Sequence, residues 1–183
     1  RRKGRVLIEV DITHGFDVMD VHNQKSLRGV AAQGLLDGIR FGTPCSSFSR
    51  ARERGSGPPP LRSDDFPAGL PNLRPADLAK VNVGNVCCRV TMSLAQIGLK
   101  HRVPGTIENP CASRIFHMPS VIQFRRSPLV YDINFDCCVY GDRWRKRTKL
   151  VAWLVDVRHL NVLCSSVGGI CDFTGQAHVS LQG

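Results

Sequence analysis

Apolar residues fall into a few continuous runs along the 183-residue chain, separated by polar stretches rich in glycine and proline. The first run, RVLIEVDI from Arg5 to Ile12, is aliphatic and β-branched and ends in acid, a pattern that predicts a buried strand. THGFDVMDV then reads as a loop carrying Asp17 and Asp20, and a short helix is expected over Gln24–Ala32. GLLDGIRF predicts the next strand, ending at Gly42. Periodicity disappears between Thr43 and Pro75, a stretch of Gly, Ser, Arg and Pro centred on GSGPPPLRS. A loop of that length inside a compact domain is usually functional or disordered. Helical spacing returns after Pro75, with Leu78, Val81, Asn85, Cys88 and Met92 and then Leu94, Ala95 and Leu99 on the repeat. VPGTIENP reads as a short strand, ASRIFHMPSVIQF as a weak helix interrupted by Pro119, and PLVYDINFD and TKLVAWLVDV as strands. Alternating strands and helices predict an α/β domain over 1–157 with a mostly parallel sheet, followed by a loop-rich tail over 158–183.

Ligands of such sheets gather at the carboxyl ends of the strands. Asp11, Asp20, Cys45 and Glu108 each follow a predicted strand or its loop, so one shared site is expected. Charge sharpens the expectation. The formal net charge is +10, and the basic residues cluster at Arg1–Arg5, at Arg50, Arg52 and Arg54, at Arg125–Arg126, and in DRWRKRTK with Arg143, Arg145, Lys146, Arg147 and Lys149. Such clusters suit a polyanion, because phosphate contacts release condensed counterions. The competing reading is a basic protein with solvated charge runs. No apolar run approaches the ~20 residues of a membrane span, and the opening RRKGRVLIEV lacks the apolar region of a signal peptide. Of the eight cysteines, Cys87–Cys88 and Cys137–Cys138 are adjacent pairs inside apolar segments, which favours buried reduced thiols and an intracellular setting over a disulfide framework. In the tail, Cys164, Cys171 and His178 are evenly spaced, but structural zinc usually takes four ligands with closer Cys pairs. The expectation is therefore loop cysteines and no metal.

Three motifs in order carry a family resemblance. GTPCSSFSR, then TIENP, then YGDRWRKRT, each after a predicted strand, resemble the Pro-Cys, Glu-Asn-Val and Gln-x-Arg-x-Arg motifs of the cytosine-5 DNA methyltransferases. The resemblance implies a Rossmann-like class I methyltransferase sheet and S-adenosylmethionine as cofactor. It implies Cys45 as the thiolate that adds to cytosine carbon 6, Glu108 as the acid at ring nitrogen 3, and Asn109 as the residue holding the loop. Arg145 and Arg147 would contact base or phosphate, and Asp11, Asp20 and Pro44 the cofactor. Arg50, Arg52, Arg54, Arg143 and Lys146 would lie along DNA, which implies an intracellular chain, nuclear if its source is a eukaryote. The sequence departs from the family in reading Pro-Cys-Ser and Glu-Asn-Pro, in carrying Trp144 where Gln is usual, and in lacking the first strand with its glycine loop. The alternatives are a non-catalytic nucleic-acid-binding module and a degenerate, transposon-associated fragment.

Overall fold

The computed structural model describes residues 7–53 and 58–180. Helix α1 (Val21–Ala32) leads to strand β1 (Ile39–Gly42), and an irregular segment then runs to helix α2 (Pro75–Lys100). Strand β2 (Gly105–Pro110), helix α3 (Pro119–Arg125), strand β3 (Val130–Asp136) and strand β4 (Arg147–Trp153) complete the regular elements. Helix ends follow local chemistry. The Asp20 carboxylate caps α1 by accepting from the His22 and Asn23 N–H groups. Proline opens both α2 and α3, where its missing N–H costs nothing. Pro119 therefore starts a helix rather than interrupting one.

The sheet order is β1-β2-β4-β3. Only β1 and β2 pair in parallel; β4 lies antiparallel to both β2 and β3. The expected mostly parallel, Rossmann-like class I methyltransferase sheet is thus corrected to a mixed, mainly antiparallel one, and the methyltransferase character that rested on such a sheet goes with it. The cause is connection length. A parallel neighbour needs a crossover of roughly a dozen residues or more, usually helical. Helix α2 supplies one between β1 and β2, but only the tight link Cys137–Lys146 joins β3 to β4. A second correction concerns the first apolar run. Its described part forms no strand, Leu7 and Ile8 are 88% and 67% exposed, and only a short 3₁₀ turn follows at Ile12–His14.

Buried positions Val81, Gly84, Cys88, Met92 and Ala95 recur at three- and four-residue intervals on α2. Cys88, Met92 and Ala95 belong to one apolar cluster with Ile107 of β2, Val151 and Trp153 of β4, and Phe116, Val121 and Phe124 around α3. Helix α1 packs Ala31 against Val90 and Leu94 of α2, with Phe41 touching both clusters. Trp153, wholly buried, stacks on Phe41 at 6.3 Å, meets Phe124 edge-on at 5.4 Å, and donates its indole N–H to the Val103 carbonyl at 2.8 Å. Its ring lies against Gly105, where an added Cβ would sit 2.3 Å from it and 2.7 Å from the Ile39 carbonyl oxygen. No helix of the described residues is long and apolar enough to cross a membrane.

Gly105→Ala forces the Trp153 ring or the β1 backbone to move. We expect a loss of about 3 kcal/mol, since overpacking costs about 1–3 kcal/mol where nothing can yield and both neighbours here are rigid. For a domain of this size that corresponds to a fall in Tm of roughly 10 °C, read by thermal circular dichroism. An unchanged Tm would mean that the ring is free to shift.

Candidate functional site

Parallel pairing sets Gly42, the last residue of β1, opposite Glu108 of β2. The loop carrying Pro44 and Cys45 therefore leaves the sheet beside Glu108 at the carboxyl ends of two neighbouring strands. Three contacts fix that loop. Asn109, 1% exposed, donates its amide N–H groups to the Thr43 carbonyl at 2.7 Å and to that of Glu108 at 2.9 Å. These bonds leave its buried Oδ1 without a partner among the described residues. The Thr43 hydroxyl meets that of Thr91 on α2 at 2.8 Å. The Phe48 N–H returns to the Cys45 carbonyl at 2.9 Å, closing a turn. Cys45 is a free, half-buried thiol, and Pro44 is exposed. Glu108 is half-buried with the Lys146 ammonium 3.4 Å from its Oε1, so the link before β4 brings a cation to the edge. The loop that carries Cys45 thus starts beside Glu108, which is followed by Asn109 and paired with Lys146.

The irregular segment after Cys45 is organised by Arg62, whose importance its PPPLRS setting does not announce. Arg62 is 1% exposed and donates to the Ser47 carbonyl and hydroxyl, the Pro67 and Val81 carbonyls and Asn85 Oδ1, at 2.6–3.1 Å. Its guanidinium lies 3.7 Å over the Phe48 ring. Burial pulls its pKa down to about 10, so it stays charged at neutral pH. Gly84 makes the close approach possible: a Cβ there would sit 2.4 Å from the Ser47 hydroxyl and 2.9 Å from the guanidinium.

The remaining expected cations divide. Arg145 and Arg147 are both committed to Asp136, which is wholly buried at the end of β3. Arg145 Nε donates to Oδ2 at 3.1 Å; Arg147 bonds Oδ1 and Oδ2 at 3.0 and 2.9 Å. The Cys164 N–H adds a further bond at 2.9 Å. Burial opposes ionisation of Asp136, but the Arg147, Cys164 and Arg145 donors outweigh it and hold the carboxyl down to about 2. Arg50 pairs with Asp64 at 2.5 Å, and Arg114 pairs with Glu53. Among the described residues Arg52 donates to the Pro59 carbonyl alone, Arg143 is exposed, and Arg54 lies outside the described residues. Asp11 accepts from the Thr13 N–H and hydroxyl, and Asp20 caps α1. These short-range capping bonds, all to Oδ1, lower both carboxyl pKa values.

Away from this edge, Cys138, Cys164, Cys171 and His178 place their sulfur and ring-nitrogen atoms within 4.8 Å of one another. Cys138 sits in the turn after β3; the other three come from the tail. The Thr174 hydroxyl, with the Phe173 and Thr174 N–H groups, brings the Cys171 thiol down to about 6, whereas burial and the neighbouring thiols push Cys138 up to about 12. Cys138 was invisible from spacing alone, because a whole strand separates it from the tail. Comparison with known proteins yields no match: no family model fits the sequence, and no curated protein or solved structure is significantly similar to it.

Arg62→Met keeps volume but removes every donor, stranding the Ser47 carbonyl and Asn85 Oδ1. We expect a loss of about 3–5 kcal/mol, from buried acceptors left unsatisfied at about 1–3 kcal/mol each. Arg52→Ala, with one bond on the surface, stays within about 0.5 kcal/mol of the wild type. Urea denaturation of the two variants measures the difference, and equal stabilities would remove Arg62 as the organiser of the loop.

Proposed function

We propose that the chain is a nucleic-acid-binding module, with DNA as its partner, that takes an unstacked pyrimidine at the edge formed by Cys45, Glu108 and Lys146. The observation that carries this reading is the Gly42–Glu108 register, which sets a free half-buried thiol and a carboxyl group at adjoining strand ends. The net charge of +10 supports a polyanionic partner. A base must leave the stack to reach such an edge, so single-stranded or distorted nucleic acid is the preferred form. With the base seated, the Cys45 thiol gives its proton to solvent and its sulfur adds to carbon 6 of the ring. The displaced π electrons move toward carbon 5 and nitrogen 3, and Glu108 shares a proton with nitrogen 3. Lys146 balances the charge on Glu108. With no group transferred, the adduct reverts to thiol and base. The reading is therefore one of recognition with reversible addition, and methyl transfer is not part of it. Because Arg145 and Arg147 are held by Asp136, the phosphate contacts fall to Arg52 and Arg143. A DNA partner would place the chain in the nucleus of a eukaryote.

Two measurements test this. A single-stranded oligonucleotide carrying 5-azacytosine, whose ring is more electrophilic at carbon 6, should yield an adduct that survives denaturing electrophoresis. Cys45→Ser should lose the adduct while keeping affinity within about threefold, because a hydroxyl is a far weaker nucleophile than a thiol. In a salt titration of binding, Arg52→Ala combined with Arg143→Ala should reduce the slope of log K against log salt by about 1.4, at roughly 0.7 per contact for a single strand. A wild-type chain that binds no oligonucleotide at low salt, or an adduct undiminished in Cys45→Ser, would overturn the proposal.

A further inference from the structure

We propose that Cys138, Cys164, Cys171 and His178 bind one structural zinc ion that fastens the tail to the β3–β4 link. The four candidate ligand atoms lie within 4.8 Å of one another. In a tetrahedral S₃N zinc site, Zn–S of about 2.3 Å and Zn–N of about 2.0–2.1 Å put ligand atoms roughly 3.5–3.8 Å apart. The Cys164 sulfur and His178 Nε2 already stand at 3.8 Å. His178 is oriented from behind, with its Nδ1 3.1 Å from the Ser166 hydroxyl. That bond fixes the ring so that Nε2 faces the sulfurs, the usual outer contact of a metal-bound imidazole.

The packing of the tail supports the same conclusion. Within 161–180, Cys164 and Cys171 are the only buried residues. The apolar side chains Val167, Ile170, Phe173 and Val179 are 77%, 43%, 50% and 54% exposed. The interior of this segment is a cluster of three thiols, Cys138, Cys164 and Cys171, with Val139 beside it. Such an interior is too small to offset the entropy of ordering an irregular chain segment, unless something stronger joins the thiols. A disulfide would use two sulfurs, leave the third unpaired and give His178 no role. A metal uses all four groups. The sulfur-rich set excludes the oxygen-seeking ions, and four protein ligands leave no open position, which makes the site structural rather than catalytic. On binding, each of the three thiols gives its proton to solvent and His178 enters as neutral imidazole. The site also bears on the charged network, since Cys164 offers its N–H to Asp136, the residue that holds Arg145 and Arg147.

The test is metal analysis of the whole chain purified under reducing conditions without chelators. We expect one zinc ion per chain by elemental analysis. Replacement by cobalt(II) should give the intense visible bands and the sulfur-to-cobalt charge-transfer absorption of a tetrahedral thiolate site. Cys138→Ser and His178→Ala should each weaken metal affinity at least tenfold, His178→Cys should restore it, and Cys111→Ser, which lies outside the cluster, should leave it unchanged. Chelation should open the tail to proteolysis between Asn161 and Ser180. A chain that carries less than a tenth of an equivalent of metal and gives no thiolate–cobalt spectrum with added cobalt would overturn the proposal, and so would a disulfide within the cluster found by mass spectrometry of the purified protein. Full metal content and an unchanged cobalt spectrum in Cys138→Ser would equally overturn it.

Discussion

The packing of Trp153 against Gly105 is the constraint on which the other elements depend. An indole buried on the last strand reaches β1 through Phe41, α3 through Phe124 and the α2–β2 connection through the Val103 carbonyl. It does so only because its cross-strand neighbour has no side chain. The close fit of β4 on β2 extends along the register to Leu150 opposite Glu108 and Lys149 opposite Asn109. The positions of the edge residues are therefore set from the far end of the strand pair, where the aromatic contacts are.

Two buried charges then fix what the apolar core does not reach. Arg62 gathers the segment after Cys45 by donating to the Ser47 and Val81 carbonyls, and Asp136 does the reverse, accepting from two arginines and a tail N–H. Isolated charges in such positions would be strongly unfavourable, and saturating their hydrogen bonds is what makes burial tolerable. Both work against flexibility. The described residues between Thr43 and Pro75 have almost no regular structure, yet Ser47, Phe48, Leu61 and Arg62 among them are buried.

Much of the element order was legible in the sequence. Helix α2 shows a three-to-four repeat after a proline, β2 to β4 are short apolar runs with turn residues between them, and all were anticipated within a few residues. Strand direction was not read correctly, although the shortness of the Cys137–Lys146 link carried the clue. The run at Leu7–Asp11 has strand composition but no pairing partner among the described residues, and composition cannot report a partner. For the site, the joint placement of Cys45 and Glu108 follows from motif order plus one parallel pairing. The status of the arginines does not, because counting positive charges says nothing about a single acid beneath them. Asp136 looks in the sequence like any strand-end carboxylate. Cys138 was read as half of an apolar pair because its neighbours in space are distant in the chain.

The sheet order β1-β2-β4-β3 also dictates an order of events during synthesis. Strand β4 is made last among the strands and yet occupies an interior place, flanked by β2 and β3. Until Trp153 has emerged from the ribosome, β2 and β3 lack the neighbour between them, and most of the central apolar cluster has nothing to close on. Non-local pairings of this kind are slow, because the intervening chain must be ordered before the contacts form. A nascent chain halted before β4 would expose unpaired strand edges and apolar helix faces, the surfaces that chaperones bind.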